Sequence, residues 1–169
     1  MHDETPEELA LDRYAQNDYE FTEQDGLAFP HLVRLRARLL SVGGQEVDLA
    51  TGYHELPFAE ETVREGRMYS REGAEFRPGR GLACYQNSKD IVLKNPGLRY
   101  IRGWALSPSR RGIKVWKGHA WIYDPSKNAI IETTLTDDPA VFLRDAYFGA
   151  DATIIEIKHA GAKGDGCRC

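Results

Sequence analysis

One internal cysteine is the residue whose chemistry stands out first in this chain. Cys84 lies mid-chain, whereas Cys167 and Cys169, the other two of the three cysteines, lie in the last three residues. A single internal cysteine in a chain that also carries histidines is a candidate nucleophile, and the alternative is a small buried core residue. A cysteine thiolate is a strong nucleophile, so the chemistry to consider is covalent catalysis.

His119 is the natural general base for Cys84. It lies in the run Gly118-His119-Ala120-Trp121, inside the segment 113–123, which is rich in aliphatic and aromatic residues and predicts a strand. A histidine can accept a thiol proton and return it to a leaving group. The alternative is a structural histidine that packs beside Trp121.

Glu132 is expected to orient His119. It follows 13 residues later, across a predicted hairpin. If Asp124 pairs with Lys127, Glu132 lies directly opposite His119, and if Asp124 pairs with Ala129, Glu132 lies diagonal on the same face. A carboxylate on the distal imidazole nitrogen would fix the tautomer and stabilise the imidazolium. The alternative is an exposed strand glutamate that binds nothing.

Periodicity and turn signals predict the elements that must position these residues. The predicted helices are 6–16, 58–65, 82–93 and 139–147. The predicted strands are 31–40, 45–53, 98–106, 113–123, 129–135 and 152–157. Turns are expected at Gly43-Gly44, which reads as a hairpin connection, at 78–81 and at 125–128.

The segment 31–40 fits two patterns. Apolar residues alternate with arginines in the manner of a strand, but Leu32, Leu35 and Leu39 also have helical spacing. The alternation is the cleaner of the two patterns, so a strand is predicted.

Cys84 would lie in the first turn of the helix 82–93. Backbone amides and the partial positive charge at a helix N-terminus stabilise a thiolate, and the amides could also face a developing oxyanion. The surrounding stretch 64–117 holds thirteen bases and four acids, whereas residues 1–25 hold nine acids and one base. A basic stretch attracts an anionic partner. The alternative is a solvated arginine-rich surface.

The order of helices and strands predicts an α+β domain with helices packed on an antiparallel sheet. We expect an acidic N-terminal segment at 1–25, a single domain at 26–160 and a flexible tail at 161–169. The acidic start does not resemble a signal peptide, no apolar run is long enough for a membrane span, and three cysteines suit a reducing compartment, so a cytoplasmic protein is expected.

The same residues resemble the transglutaminase-like branch of the papain-like cysteine enzymes, over roughly residues 80–150. In that branch a cysteine opens a helix, a histidine follows in a His-Ala-Trp context, and Asp-x-Thr lies on the next strand. The chain is most similar to small, mostly uncharacterised bacterial and phage proteins of this type. The matching segments here are Gly81–Ser88, Tyr100–Ala105, Gly118–Trp121, Ile130–Thr134 and Tyr147–Gly149. Glu132 replaces the usual aspartate, and residues 1–79 match no pattern.

The resemblance implies a papain/transglutaminase-like fold and a Cys84–His119–Glu132 triad without a cofactor or metal. Its expected substrate is a peptide or a small amide, or an ester, and hydrolysis is the default because water is always present. Water would give hydrolysis of the thioester, and an amine would give transamidation. Asn87, one helical turn beyond Cys84, is expected to shape the site, and Trp104 and Trp121 to wall it.

Three other readings of the sequence remain open. A catalytically idle papain-fold module could bind an acidic partner or nucleic acid through the stretch 64–117. Zinc could in principle be held by Cys84, His119, Cys167 and Cys169, although paired Cys-x-x-Cys spacing is absent. Basic residues near tryptophans could bind nucleic acid, but the net charge of −4 and a pI near 5.8 argue against that partner. The basic residues are Arg110, Arg111, Lys114 and Lys117, and the tryptophans are Trp104, Trp116 and Trp121.

Overall fold

The computed structural model describes residues 29–49, 56–81, 83–108, 112–134 and 144–157. The helices within these ranges are α1 (Pro30–Ser41), α2 (Leu56–Glu65) and α3 (Cys84–Lys94), followed near the end by a π-helical turn (Thr153–Ile157). The strands are β1 (Glu46–Asp48), β2 (Arg67–Tyr69), β3 (Glu75–Phe76), β4 (Arg99–Pro108), β5 (Lys114–Asp124), β6 (Ala129–Glu132) and β7 (Ala146–Asp151). The predicted mixed α+β architecture is confirmed.

The strands form one sheet in the order β2-β7-β4-β5-β6-β3, with β1 paired to β5. The central β4–β5 pair is antiparallel and continuous from Arg99↔Tyr123 to Pro108↔Lys114. β7 and β6 flank this pair in antiparallel register. The two parallel pairings are β1 with β5 and β3 with β6, so antiparallel pairing dominates.

The sheet is strongly curled. β2 and β5 are separated by β7 and β4 in the strand order, which in a flat sheet would place them roughly 14 Å apart. Nevertheless the ring of Tyr69 on β2 lies 5.6 Å from the ring of Trp121 and 5.3 Å from that of Tyr123, both on β5. These rings therefore fill the concave face of the sheet.

The helices cover the convex face. Three leucines of α1 pack with Trp104, Trp116 and Phe148 in one buried cluster. The first residues of α3 pack with Tyr100, Ile122 and Ile131 in a second. The residues between them along β4 and β5 point to the concave face, because side chains alternate along a strand.

The prediction of a strand at 31–40 is wrong, because this segment forms α1. Leu32, Leu35 and Leu39 are fully buried along one helical stripe, whereas Val33 is 46% exposed. Pro30 occupies the helix start, where its missing N–H costs nothing. The apparent alternation arose because arginines fill the exposed positions between the leucines.

The turn at Gly43-Gly44 does not connect a hairpin. The strand that follows it, β1, begins within the predicted segment 45–53 and pairs in parallel with β5. Residues 50–53 of that segment lie outside the described residues. Gly44 has a φ of +80°, and a Cβ there would come within 2.8 Å of Leu106 and 3.0 Å of Trp116. The glycine therefore lets the chain pass close against the core.

The last two predicted elements are also corrected. Ala146 and Tyr147, predicted to end a helix, begin strand β7, and Gly149 lies inside that strand rather than after the helix. The predicted strand 152–157 is a π-helical turn over Thr153–Ile157. The predicted acidic segment 1–25 with its helix 6–16, residues 139–143 and the tail 161–169 lie outside the described residues.

The remaining predicted elements are confirmed, with small shifts at their ends. They are α2, α3, β4, β5, β6 and the turn at 125–128. β6 ends at Glu132, so Thr133 and Thr134 follow the strand rather than continue it. In the part of the chain described here, no helix combines the length and apolar character needed to span a bilayer.

Candidate active site

The β5–β6 hairpin sets the position of Glu132. Asp124 pairs with Ala129 and Ile122 pairs with Ile131. This is the second of the two registers considered from the sequence, and it places Glu132 diagonal to His119 on the concave face. Ile131, the neighbour of Glu132, points the other way into the cluster beneath α3.

The predicted contact between His119 and Glu132 is confirmed. The Nε2 atom of His119 lies 2.9 Å from Oε2 and 3.1 Å from Oε1 of Glu132. His119 is 3% exposed and Glu132 is fully buried. A buried carboxylate persists only when its oxygens are satisfied, so the rest of its environment decides its charge.

Glu132 receives further hydrogen bonds at both oxygens. Oε1 accepts from the backbone N–H of Thr133 at 3.0 Å, from the backbone N–H of Thr134 at 3.2 Å and from the Thr134 hydroxyl at 3.0 Å. Oε2 accepts from the hydroxyl of Tyr147 at 3.0 Å. Every donor around this carboxylate favours its ionised form.

These contacts decide the charge of Glu132. Burial by itself raises the pKa of its carboxyl, but the His119 charge and the hydrogen bonds from His119 and Thr134 outweigh burial and lower the pKa to about 2. Burial, and then the neighbouring Glu132 charge, raise the pKa of Tyr147 above its usual range. At neutral pH the pair is therefore an ionised carboxylate beside a neutral phenol.

The ionised carboxylate fixes the tautomer of His119. Because Glu132 carries no proton, the Nε2 atom facing it must carry one. The His119 charge that lowers the pKa of Glu132 belongs to the imidazolium, which carries protons on both ring nitrogens. When the imidazole is neutral, its proton stays at Nε2 and the lone pair lies on Nδ1. Nδ1 is therefore the nitrogen that can accept a proton from a nucleophile.

Aromatic rings surround the imidazole. The ring of Trp121 lies 6.1 Å from that of His119 at an angle of 23°, and the ring of Tyr147 lies 6.3 Å away. The predicted wall residue Trp121 is thus beside the pair. Its indole N–H is buried and has no hydrogen-bond partner among the described residues. Gly149 makes room for this ring, because a Cβ there would lie 2.8 Å from it.

Cys84 lies in the first turn of α3, as predicted, and is the first residue of that helix. The residue before it, Ala83, makes no side-chain hydrogen bond to the helix. The first backbone N–H groups of α3 are therefore not capped by that residue. Cys84 is fully buried and disulfide-bonded in this structure. The other two cysteines of the chain, Cys167 and Cys169, lie outside the described residues.

Thr133, the residue that follows β6, contacts both Cys84 and Glu132. The hydroxyl of Thr133 donates to the carbonyl oxygen of Cys84 at 3.5 Å, while its backbone N–H donates to Glu132. Cys84 itself belongs to the buried cluster that includes Ala120, on the convex side of the sheet. Alternation along β5 turns His119 to the concave side, so Thr133 is the link between the two parts of the site.

The side chain of Asn87 connects two backbone segments beside Cys84. Its side-chain amide donates to the carbonyl oxygens of Arg80 and Thr133 at 2.8 and 3.2 Å, and its Oδ1 accepts from the backbone N–H of Arg80 at 3.0 Å. The amide also packs against Gly79, where a Cβ would come within 2.3 Å. Asn87 therefore ties the turn before α3 to the end of β6.

Trp104 is not brought to the pair. It lies in the buried cluster beneath α1 and α2, with Trp116 and Phe148. Its neighbour Gly103 is the residue that pairs with His119 across β4 and β5, so Trp104 points to the opposite face.

The basic stretch 64–117 is extensively paired with acids. Arg64 contacts Glu61 and Glu65, Arg99 contacts Asp151, and both Arg71 and Lys114 contact Asp145. Several of these acids lie outside the stretch itself. The positive charge counted along the sequence is thus partly neutralised in the fold.

A groove of about 480 Å³ lies at one end of the sheet. Arg67 spans its aromatic floor, with its guanidinium carbon 4.7 Å from the ring centre of Tyr69 and 5.1 Å from that of Tyr123. None of Cys84, His119 and Glu132 lines this groove. Among the described residues, no cluster of three or more histidines, cysteines or acids could hold a metal ion.

Two residues that complete the pair were not identified from the sequence. Thr134 and Tyr147 contribute three donors to Glu132. The threonine follows Glu132 closely enough to be suspected. Tyr147 belongs to the matching segment Tyr147–Gly149, but the sequence predicts that it ends a helix, and this prediction obscured its place in the sheet.

The chain matches no protein-family model, no curated protein and no solved structure.

Proposed function

We propose that the chain is a cysteine-dependent acyl-transfer enzyme of papain/transglutaminase-like type, which hydrolyses an amide, peptide or ester bond. Cys84 is the nucleophile, His119 the general base and acid, and Glu132 the residue that orients it. The observation that supports this most strongly is the buried contact of 2.9 Å between His119 and an ionised Glu132. It supplies the half of the site that converts a thiol into a nucleophile.

The reaction follows from the tautomer of His119. Nδ1 accepts the thiol proton of Cys84, and the sulfur attacks the substrate carbonyl carbon to form a tetrahedral adduct. The imidazolium returns the proton to the leaving amine or alcohol as the bond to carbon breaks, which leaves a thioester. Water then hydrolyses the thioester, or an amine takes the acyl group. Glu132 remains ionised throughout and stabilises the imidazolium.

This chemistry requires a reduced thiol that can reach Nδ1 of His119. Cys84 is disulfide-bonded and fully buried in this structure, so the active form must differ from it at Cys84. The backbone N–H groups at the start of α3 would then stabilise the thiolate and the oxyanion. A reductant is accordingly part of any assay.

Thiol labelling tests the proposal. The rate of Cys84 alkylation by iodoacetamide is measured from about pH 5 to 9 in protein carrying Cys167→Ser and Cys169→Ser, with and without His119→Ala. Fast labelling below neutral pH that is lost with His119→Ala is expected, because a thiolate–imidazolium pair persists below the pH at which an ordinary thiol ionises. Slow labelling that does not depend on His119 would contradict the proposal.

A second candidate is a catalytically idle module of the same fold that binds an acidic partner or nucleic acid. The observation that favours it is the position of Cys84, buried in the convex cluster while His119 faces the concave side. On this reading His119 and Glu132 stabilise the sheet. Binding of an acidic peptide and of a short RNA, each measured at low and high salt, tests it, since binding through the stretch 64–117 weakens as salt rises.

A further inference from the structure

Tyr147 is the donor on the far side of the Glu132 carboxylate. Its hydroxyl accepts a hydrogen bond from the backbone N–H of Arg144 at 3.1 Å and lies 3.0 Å from Oε2 of Glu132. Because Glu132 is ionised, the phenol proton must point towards Oε2. The hydroxyl therefore has one donor and one acceptor, and its orientation is fixed.

The two oxygens of Glu132 are held unequally. Oε1 accepts three hydrogen bonds from Thr133 and Thr134, which follow Glu132 directly in the chain. Oε2 accepts from Tyr147 and makes the shorter of the two contacts with Nε2 of His119, 2.9 Å against 3.1 Å at Oε1. Without the Tyr147 hydroxyl, only His119 would remain at Oε2, so the carboxylate could turn about Oε1 and lengthen this shorter contact.

The position of Tyr147 is itself fixed by the sheet. It pairs with Ala105 of β4 on one side and with Tyr69 of β2 on the other. It is fully buried, and its ring lies 5.2 Å from that of Trp121. A side chain held on both flanks in this way can impose its geometry on Glu132.

We propose that Tyr147 is a positioning residue, which acts through Glu132 to fix the tautomer and the ring orientation of His119. This inference rests on the proposed function only for its effect on thiol reactivity. The claim about the imidazole itself is independent of that function. It concerns a state that can be measured in a protein that performs no chemistry.

The test compares Tyr147→Phe with the matched control Tyr123→Phe in the full chain. Both changes remove one hydroxyl and keep the ring, but the hydroxyl of Tyr123 donates to Asn128 and does not reach Glu132. Nitrogen NMR of histidine-labelled protein reports which ring nitrogen carries the proton, and His119→Ala assigns the signal. Reduced protein is then alkylated near neutral pH.

The parent protein and Tyr123→Phe are expected to hold His119 in a single form protonated at Nε2. Tyr147→Phe is expected to give a mixture of tautomers and alkylation of Cys84 about tenfold slower, the size expected when a positioning hydrogen bond of ordinary strength is lost. An unchanged tautomer in Tyr147→Phe overturns the inference whatever the labelling shows. If the tautomer shifts but labelling in the parent is indifferent to His119, the positioning role stands and the proposed function fails.

A measurement on the parent protein covers the case in which Tyr147→Phe does not fold. A hydroxyl proton buried between Tyr147 and Glu132 exchanges slowly and is shifted downfield, and it should show a nuclear Overhauser contact to the Nε2 proton of His119. Its detection supports the inference. If the Nε2 proton of His119 is observed without such a neighbour, the inference is wrong.

Discussion

The Nε2 atom of His119 lies 2.9 Å from Oε2 of Glu132, and neither side chain is more than 3% exposed. Two strands joined by a four-residue turn supply both residues, and the register of that hairpin alone brings them together. A buried pair of this kind costs free energy to desolvate, so its geometry must be close to ideal to persist. Its properties can therefore be tested by stability as well as by activity.

Replacing Glu132 by glutamine should destabilise the fold. The change removes the charge that faces His119 and puts an amide group where one oxygen accepts hydrogen bonds, so a free energy of unfolding lower by about 3 kcal/mol is expected. Urea unfolding near neutral pH measures it. Glu75→Gln is the control, because Glu75 pairs with Lys127 and Arg77 at the surface, where an ion pair contributes about 1 kcal/mol or less. Equal losses in the two variants would contradict the prediction.

The stability of the protein should depend on pH through Glu132. Its pKa is lowered on folding from the ordinary 4.5 to about 2, so the folded state binds the proton less tightly than the unfolded chain. The resulting stabilisation, about 3 kcal/mol, is complete above roughly pH 5 and is lost as the pH falls towards about 2. Urea unfolding from about pH 7 to 2 should show this fall in the parent protein. A fall of the same size in Glu132→Gln would assign it to other groups.

Gly149→Ala should disturb the wall of the site. A Cβ at this position would lie 2.4 Å from the carbonyl oxygen of Arg102 and 2.8 Å from the ring of Trp121, so backbone and ring must both shift. We expect a loss of about 2 kcal/mol in the free energy of unfolding and a changed tryptophan emission spectrum. Gly97→Ala is the control, since a Cβ there meets nothing within 4 Å. An unchanged spectrum in Gly149→Ala would show that the sheet does not approach Trp121 so closely.

The helix α1 can be tested by two substitutions that a strand would treat alike. Leu35→Ala should cost about 3 kcal/mol because Leu35 is fully buried, and Val33→Ala should cost less than about 0.5 kcal/mol because Val33 is 46% exposed. Positions 33 and 35 face the same way in a strand but are about 200° apart on a helix. Thermal or urea unfolding compares them, and similar losses at the two positions would argue for the strand.

The sequence predicted the His119–Glu132 contact because both partners lie on one hairpin. Local turn chemistry at 125–128 and strand alternation indicated two registers, either of which joins the side chains, and the second is the one observed. A slip by one residue would have separated them. The helix at Cys84 was predicted for a similar reason, since a turn before it and Asn95-Pro96-Gly97 after it mark both ends. Local signals decided these elements.

The errors lie where tertiary packing overrides local pattern. In α1, arginines alternate with apolar residues by chance, and only burial of Leu32, Leu35 and Leu39 against the sheet selects the helix. β7 reads as a helix in isolation, but β2 and β4 flank it on both sides and impose the strand. Trp104 was predicted to wall the site, but it lies on the opposite face of β4 from His119. The sequence of β4 alone does not indicate which of its two faces is turned towards the site.

The order of the strands also bears on how the chain folds. β4, β5 and β6 are joined by short connections, whereas Val47 of β1 meets Trp116, 69 positions later, and Met68 of β2 meets Phe148, 80 positions later. Closing a long loop costs more entropy than closing a short one, and local topology favours early formation. We therefore expect the hairpin that carries His119 and Glu132 to form first and to nucleate the sheet. Docking of the distant edge strands would then be the slow, rate-limiting stage of folding.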